Sequence, residues 1–314
     1  MNTRTLQLLI FFCIGWIPFQ SIAQQTVTAS KENISLSFQL DADGKPVHSV
    51  QYHQRDVIKA SRLGFSLDVD SNFHSGFSLI NSEKKQHDDT WHPVWGEESS
   101  IRNNYEELTI HLRHRSGRML DIVFRVFADG VGFRYIFPMQ PGLKYFIVQD
   151  EYTEFNLTGD HTAFWIPGDY DTNEYRYTNS KISAIDNRPV VAAATDIAVR
   201  VAPDPYSVQT PLMMKSADGL YINIHEAALI NYPAMQLHTD AATLSLSARL
   251  VPDAVGNKAY LHAPAKTPWR TIIVSNKAAD ILASRMILNL NDPSAAEQTS
   301  WIKPMKFAGV WWEY

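Results

Sequence analysis

The sequence predicts a mainly β protein whose bulk is a large antiparallel sandwich of Greek-key type. Three observations predict it: apolar and polar residues alternate through segment after segment between Val27 and Val274, glycines mark the tight turns, and helical spacing is all but absent before Asn276. The alternation begins at Ile34, Leu36, Phe38 and Leu40, which share one face of an extended chain. "DADGKP" then turns the chain, and the pattern resumes at Val47. The clearest passage covers residues 106–138. Leu108, Ile110 and Leu112 alternate; Ser116 and Gly117 turn; Leu120, Ile122, Phe124 and Val126 alternate; Asp129 and Gly130 turn; Val131, Phe133, Tyr135 and Phe137 alternate again. Later strands are expected in "DIAVRVA", "GLYINIHE", "LSLSARLV" and "RTIIVS".

From Asn276 the period changes. Ala278, Leu282, Met286 and Leu290 recur every fourth residue, a helical stripe that stops before Asp292 and Pro293. A loop, "EQTSWIKPMK", leads to "FAGVWWEY", residues 307–314, an apolar run without a polar tail. Apolar residues on both faces suit a strand inside a parallel sheet or barrel, and left uncovered such a strand invites edge pairing. Residues 305–314 are therefore expected to begin a further unit.

The chain has 314 residues, 45% hydrophobic and 11% aromatic, enough for a sizeable core. Lysine plus arginine number 28 against 33 aspartates and glutamates, a formal charge of -5 with no basic block, which argues against a nucleic-acid or anionic-membrane partner. Residues 1–23 have the pattern of a secretory signal: Arg4, an apolar stretch from Leu6 to Ile17, then Ser21 and Ala23 as small residues before the expected cleavage. The stretch is too short for a membrane span. An exported, periplasmic protein with no membrane insertion after cleavage is the expectation. The one cysteine, Cys13, falls inside that segment, so neither disulfides nor cysteine chemistry are expected in the mature chain.

Candidate site residues are few. Asp169, Asp171 and Glu174, in "GDYDTNEYRY", offer hard oxygen donors of the kind calcium takes, although their spacing is not that of an EF-hand and a solvated acidic loop has the same appearance. Tyr175 and Tyr177 read as packing or sugar-facing aromatics. His225 and Glu226 suggest an acid/base pair, yet neighbours on a strand point to opposite faces. Trp91 and Trp95, in "WHPVWGE", present indoles that stack on sugars or pack at an interface. Trp269 and Arg270 are expected to hold the sandwich against whatever follows it. Trp311 and Trp312 should face opposite sides of the final strand, with Glu313 at its end, where barrel enzymes carry site residues.

Five motifs in order, "FRVFADGVGFRYIFP", "FWIPGDYDTNEYRY", "GLYINIHEAALINYPAM", "KTPWRTIIV" and "TSWIKPMKFAGVWWEY", give the chain a resemblance to the N-terminal half of glycoside hydrolase family 97. The resemblance runs from about Val27 to Tyr314. It implies a β-super-sandwich, galactose mutarotase-like, over residues 24–274, a linker helix and loop over 275–304, and the first strand of a truncated (β/α)8 barrel over 305–314. It also implies calcium as cofactor with Glu174 as a ligand reaching into the cleft, and Trp311 as a substrate contact. Catalytic carboxylates are expected after Tyr314, in a C-terminal barrel of the same polypeptide. The function so implied is the N-terminal portion of an exported α-glucosidase acting on α-linked malto-oligosaccharides, the chain alone being inactive. Its alternatives are a stand-alone carbohydrate-binding sandwich module, a mutarotase-like isomerase, and an α-galactosidase of the same family.

Overall fold

The computed structural model describes residues 25–293, 298–303, 305–306 and 308–309. Two large antiparallel sheets face each other across the core. The first has eight strands, in hydrogen-bonded order Val27–Lys31, Ile34–Leu40, Pro46–Tyr52, Arg55–Arg62, Glu154–Leu157, Ser245–Leu250, Met235–Asp240 and Ser207–Gln209. The second runs Thr178–Lys181, Thr162–Trp165, Leu212–Lys215, Tyr221–Ala227, Trp269–Ser275, Gly130–Phe137, Met119–Val126, Ile101–His114 and Phe77–Trp91, with Ala265–Lys266 also paired to Gly130–Phe137. A three-stranded sheet, Ala259–His262, Tyr145–Glu151 and Phe65–Leu67, stands beside them. The chain crosses repeatedly between the large sheets, as a Greek-key sandwich requires.

Alternation explains why these segments pair as they do. Along Ile34–Leu40, Ile34, Leu36 and Phe38 are buried while the serines between them are half-exposed. The inner faces of the two sheets supply Phe38, Val50 and Ile58 on one side and Phe124, Phe133, Tyr135 and Ile272 on the other, all essentially inaccessible to water. Burying a side chain of this size contributes about 1.5–3 kcal/mol. Residues 106–138 form the expected meander, Leu112 opposite Leu120 and Phe124 opposite Phe133. Gly117, at φ +86°, takes the left-handed conformation at its turn. The polar run "NSEKKQHDDT" lies in Phe77–Trp91, an edge strand whose exposed charges discourage pairing with another chain.

Two expectations need correcting. "DIAVRVA" is not a strand, because its backbone is held by side chains and loops: Asp169 Oδ2 accepts from Val201 N at 2.8 Å, and Val201 O accepts from Tyr170 N. Val199 and Val201 accordingly stay exposed. The C-terminal stripe is not one helix but two short ones, Ala278–Ala283 and Met286–Asn289. Ser284, with extended backbone at ψ 136°, resets the rotation between them. Leu282 is left 88% exposed and Ile281 is buried in its place, while Met286 and Leu290 of the stripe are buried as expected. These three cover the outer face of the second sheet together with Tyr105, Val123 and Trp269.

No described helix is long and apolar enough to cross a membrane. The expected signal segment lies outside the described residues, as does most of the expected barrel strand; Met305, Lys306, Ala308 and Gly309 have no regular structure assigned.

Candidate functional site

A cleft of about 730 Å³ opens where one end of Tyr221–Ala227 meets the loops around Ser207–Gln209 and Met235–Asp240. The loop that carries Asp169 to Glu174 forms one wall. Gly168 permits its close approach to the first sheet: a Cβ there would lie 2.2 Å from Ser207 Oγ and 2.8 Å from Gln236 Oε1. Two amides then clamp the loop, Gln236 Nε2 donating to Asp169 O and Gln209 Nε2 to Thr172 O, each at 2.6 Å. Neither glutamine was marked by any sequence motif, since each acts across dozens of residues.

Asp169 organises this loop and is not free to bind a cation. Its Oδ1 accepts from the backbone of Asp171 at 2.8 Å and Thr172 at 3.2 Å; its Oδ2 accepts from Tyr175 Oη at 2.7 Å and Val201 N at 2.8 Å. That fills the four acceptor directions of a carboxylate. Tyr175 is buried by this contact, and burial followed by the bond to Asp169 raises its phenol well above the ordinary range. Tyr175 is thus a packing residue, while Tyr177 is 66% exposed.

Glu174 stands between two hollows. It lines the cleft and also a neighbouring depression of about 670 Å³ bounded by Tyr175, Pro189 and Ala193. Its backbone N donates to Thr172 Oγ1 at 3.2 Å. Both Glu174 and Asp171 are exposed, and neither carboxylate has a described hydrogen bond or ion pair. Among the described residues, no three of His, Cys, Asp and Glu converge as a metal-holding group. Two unpaired hard oxygen donors fit part of a calcium shell, which takes six to eight oxygens, but do not complete one.

His225 and Glu226 point to opposite faces, as their strand position requires. Glu226 is directed between the sheets, where its Oε2 accepts from Arg270 Nη1 at 2.6 Å and its Oε1 from Met235 N at 3.1 Å. His225 lies on the other face, opposite Thr271, and burial lowers its imidazole pKa. Both residues line the cleft, but Glu226 is already engaged. Arg270 is likewise not a surface fastener: it is fully buried inside the sandwich, bound to both Glu226 and Glu151. Trp269, its neighbour, packs on the opposite face under the guanidinium groups of Arg134 and Arg125, 4.3 and 4.8 Å from its ring.

Trp91 and Trp95 share a smaller cleft of about 330 Å³ with Arg285 and Leu288. Trp91 Nε1 donates to Asn289 Oδ1 at 2.9 Å, and Arg285 pairs with Glu98, so the tryptophan loop is tied to the C-terminal helices. Trp311, Trp312 and Glu313 lie outside the described residues.

A family model described as glycosyl-hydrolase 97 N-terminal matches residues 27–293. The chain is similar to a protein named retaining alpha-galactosidase from Bacteroides thetaiotaomicron, 23% identical over 320 residues, covering 92% of this chain and 45% of that protein. It is also similar to a probable retaining alpha-galactosidase from Streptomyces bingchenggensis, 25% identical and covering 87% of this chain and 39% of that protein. Among solved structures, a glycoside hydrolase family 97 enzyme from Pseudoalteromonas sp. strain K8 in complex with acarbose matches with a TM-score of 0.76 and 30% identity. The E480Q form of such an enzyme, in complex with panose, matches with a TM-score of 0.76 and 31% identity. Each of these two matches covers 88% of this chain and 40% of the other. The chain therefore spans less than half the length of the relatives it matches.

Proposed function

Because the chain belongs to glycoside hydrolase family 97, through the family's N-terminal domain, we propose that it is the sandwich portion of an exported, calcium-dependent enzyme that hydrolyses terminal α-glucosidic bonds of malto-oligosaccharides. The observation that carries this reading is the rigid loop that presents Glu174 and Asp171, both unpaired, at a cleft large enough for a sugar. In this reading Glu174 is a calcium ligand and a wall of the substrate cleft, Trp311 contacts the sugar, and the acid and base carboxylates come from the portion of the polypeptide beyond this chain. Bound calcium would polarise the cleft and hold its shape. The residues of this chain set where that cation and the sugar can sit: Asp169, Gln209 and Gln236 fix the loop, and Glu174 extends from it.

Glucosidase is preferred over galactosidase because the enzymes solved in complex with acarbose and panose are 30% and 31% identical to this chain, against 23% and 25% for the proteins named alpha-galactosidases. The galactosidase names favour the second reading. Rates on p-nitrophenyl α-glucoside and α-galactoside, measured on the polypeptide carrying both this chain and its catalytic portion, decide between them. Faster galactoside hydrolysis would reverse the preference.

The purified 314-residue chain is expected to hydrolyse neither substrate. Robust turnover would place the catalytic carboxylates within it. In the longer polypeptide, Glu174→Gln is expected to raise the calcium concentration for half-maximal activity about tenfold or more, the effect of losing one charged oxygen ligand. An unchanged calcium titration and rate would remove Glu174 from the site.

A further inference from the structure

His225 and Thr271 oppose each other directly across the pairing of Tyr221–Ala227 with Trp269–Ser275. Their shared face is established by the neighbouring pair, Glu226 and Arg270, which meet at 2.6 Å on the other face. Both residues carry a buried polar atom without a partner: Nδ1 of His225 and Oγ1 of Thr271. Directly opposed residues hold their Cβ atoms about 4.5–5.5 Å apart, so side-chain rotation alone brings these two atoms within hydrogen-bonding reach. Leaving either unpaired in a buried setting is unfavourable. His225 also lines the cleft shared with Glu174.

We propose that His225 binds a sugar hydroxyl in this cleft and that Thr271 positions it, its hydroxyl donating to Nδ1 and so keeping the proton on Nε2, which faces the ligand. The hydrogen bond made by one imidazole nitrogen sets the protonation of the other. Burial keeps the ring neutral near pH 7, so the group presented to the sugar is a neutral N–H donor that does not repel a cation at Glu174. The proposal rests on the cleft being the glycoside site proposed above, and it assigns a substrate-binding role to a residue on the sandwich side.

The test uses the longer polypeptide with malto-oligosaccharide as substrate. His225→Ala is expected to raise KM about tenfold and Thr271→Val about threefold to tenfold, with kcat changed less than about threefold, as loss of a ground-state hydrogen bond requires. His225→Gln, which retains an amide donor, should recover part of the loss. The calcium titration should match the parent in all three. Thr271→Val preserves shape, so it remains informative if His225→Ala fails to fold, and thermal melts identify that case. Imidazole nitrogen NMR of the 314-residue chain reads the tautomer directly: protonation at Nε2 in the parent and a mixed population in Thr271→Val support the positioning role. KM unchanged in His225→Ala, or a proton on Nδ1 in the parent, overturns the proposal. If Glu174→Gln behaves as expected and the His225 variants do not, this inference alone falls; if Glu174→Gln is silent as well, the reading of the cleft falls with it.

Discussion

Replacing Arg270 with methionine is expected to lower the unfolding free energy of the chain by about 3–5 kcal/mol, the usual consequence of removing one partner from a buried ion pair. Arg270 is wholly inaccessible and serves two carboxylates: its Nε and Nη2 grip Glu151 at 2.9 and 2.7 Å, and its Nη1 reaches Glu226 at 2.6 Å. Thr153 Oγ1 and Tyr232 Oη complete the shell of Glu151, donating at 2.8 and 3.0 Å. Burial by itself would push the guanidinium pKa down, but Glu151 and then Glu226 raise it well above the ordinary arginine range, so the cation is fixed. Two carboxylates share that single cation, and burial raises the pKa of Glu226 against the pull of Arg270. Methionine fills the space but leaves both acids buried without a counter-charge. Lysine retains the charge and loses the two-pronged geometry, so Arg270→Lys should fall between methionine and the parent. Urea unfolding at pH 7, followed by circular dichroism, measures all three. A methionine variant within about 1 kcal/mol of the parent would show that the pair adds nothing once its desolvation is counted.

The same network connects stability to the cleft. Glu226 fixes Met235 N, and Tyr232 bonds to Glu151, so the loop between residues 227 and 235, which supplies Leu229 and Ala234 to the cleft wall, is held at both ends by groups that depend on Arg270. None of this was legible in "KTPWRTIIV". The partners are 119 and 44 residues away in sequence, and a strand arginine between a tryptophan and a threonine looks the same whether it faces solvent or a buried acid. The meander was legible because each of its strands buries one face and turns on a short polar or glycine segment, so period and punctuation agree. "DIAVRVA" had the period without the outcome, because a carboxylate 32 residues away captured its backbone donor at Val201. The stripe from Ala278 to Leu290 failed for a related reason: one extended residue, Ser284, turns the second helix relative to the first, and periodicity counted across it misassigns Leu282. At the site, the motif singled out Glu174. What holds its loop in place, Gln209 and Gln236, is contributed by strands that only the fold brings near.

A comparably large effect is expected from acid. His48 sits on the inner face of Pro46–Tyr52, fully buried, with Phe133 4.9 Å away between ring centroids and Phe124 and Phe155 at 6.5 and 6.2 Å. Its Nε2 lies 3.1 Å from Glu154 O and its Nδ1 has no partner, so one hydrogen bond to a carbonyl is all that offsets the loss of water. Burial drives the imidazole pKa down from 6.5 to about 4, the bond to Glu154 opposing but not overcoming it. The sign follows from proton counting. Between pH 6.5 and about 4 the unfolded chain binds a proton at this residue and the folded chain does not, so stability is fully present above pH 6.5 and falls as the pH drops toward 4. That gap corresponds to about 3 kcal/mol lost over the window. Carboxylates and other histidines titrate nearby, so the quantity to measure is a difference. Unfolding free energies of the parent and His48→Leu are to be taken from pH 7.5 down to 4, over which the parent should lose about 3 kcal/mol relative to the variant. Leucine keeps the site apolar and removes the proton-binding group, whatever its own offset. Parallel curves for the two proteins would mean that His48 either protonates in place or is reached by water, and the aromatic shell around it would then not be the sealed core that its burial describes.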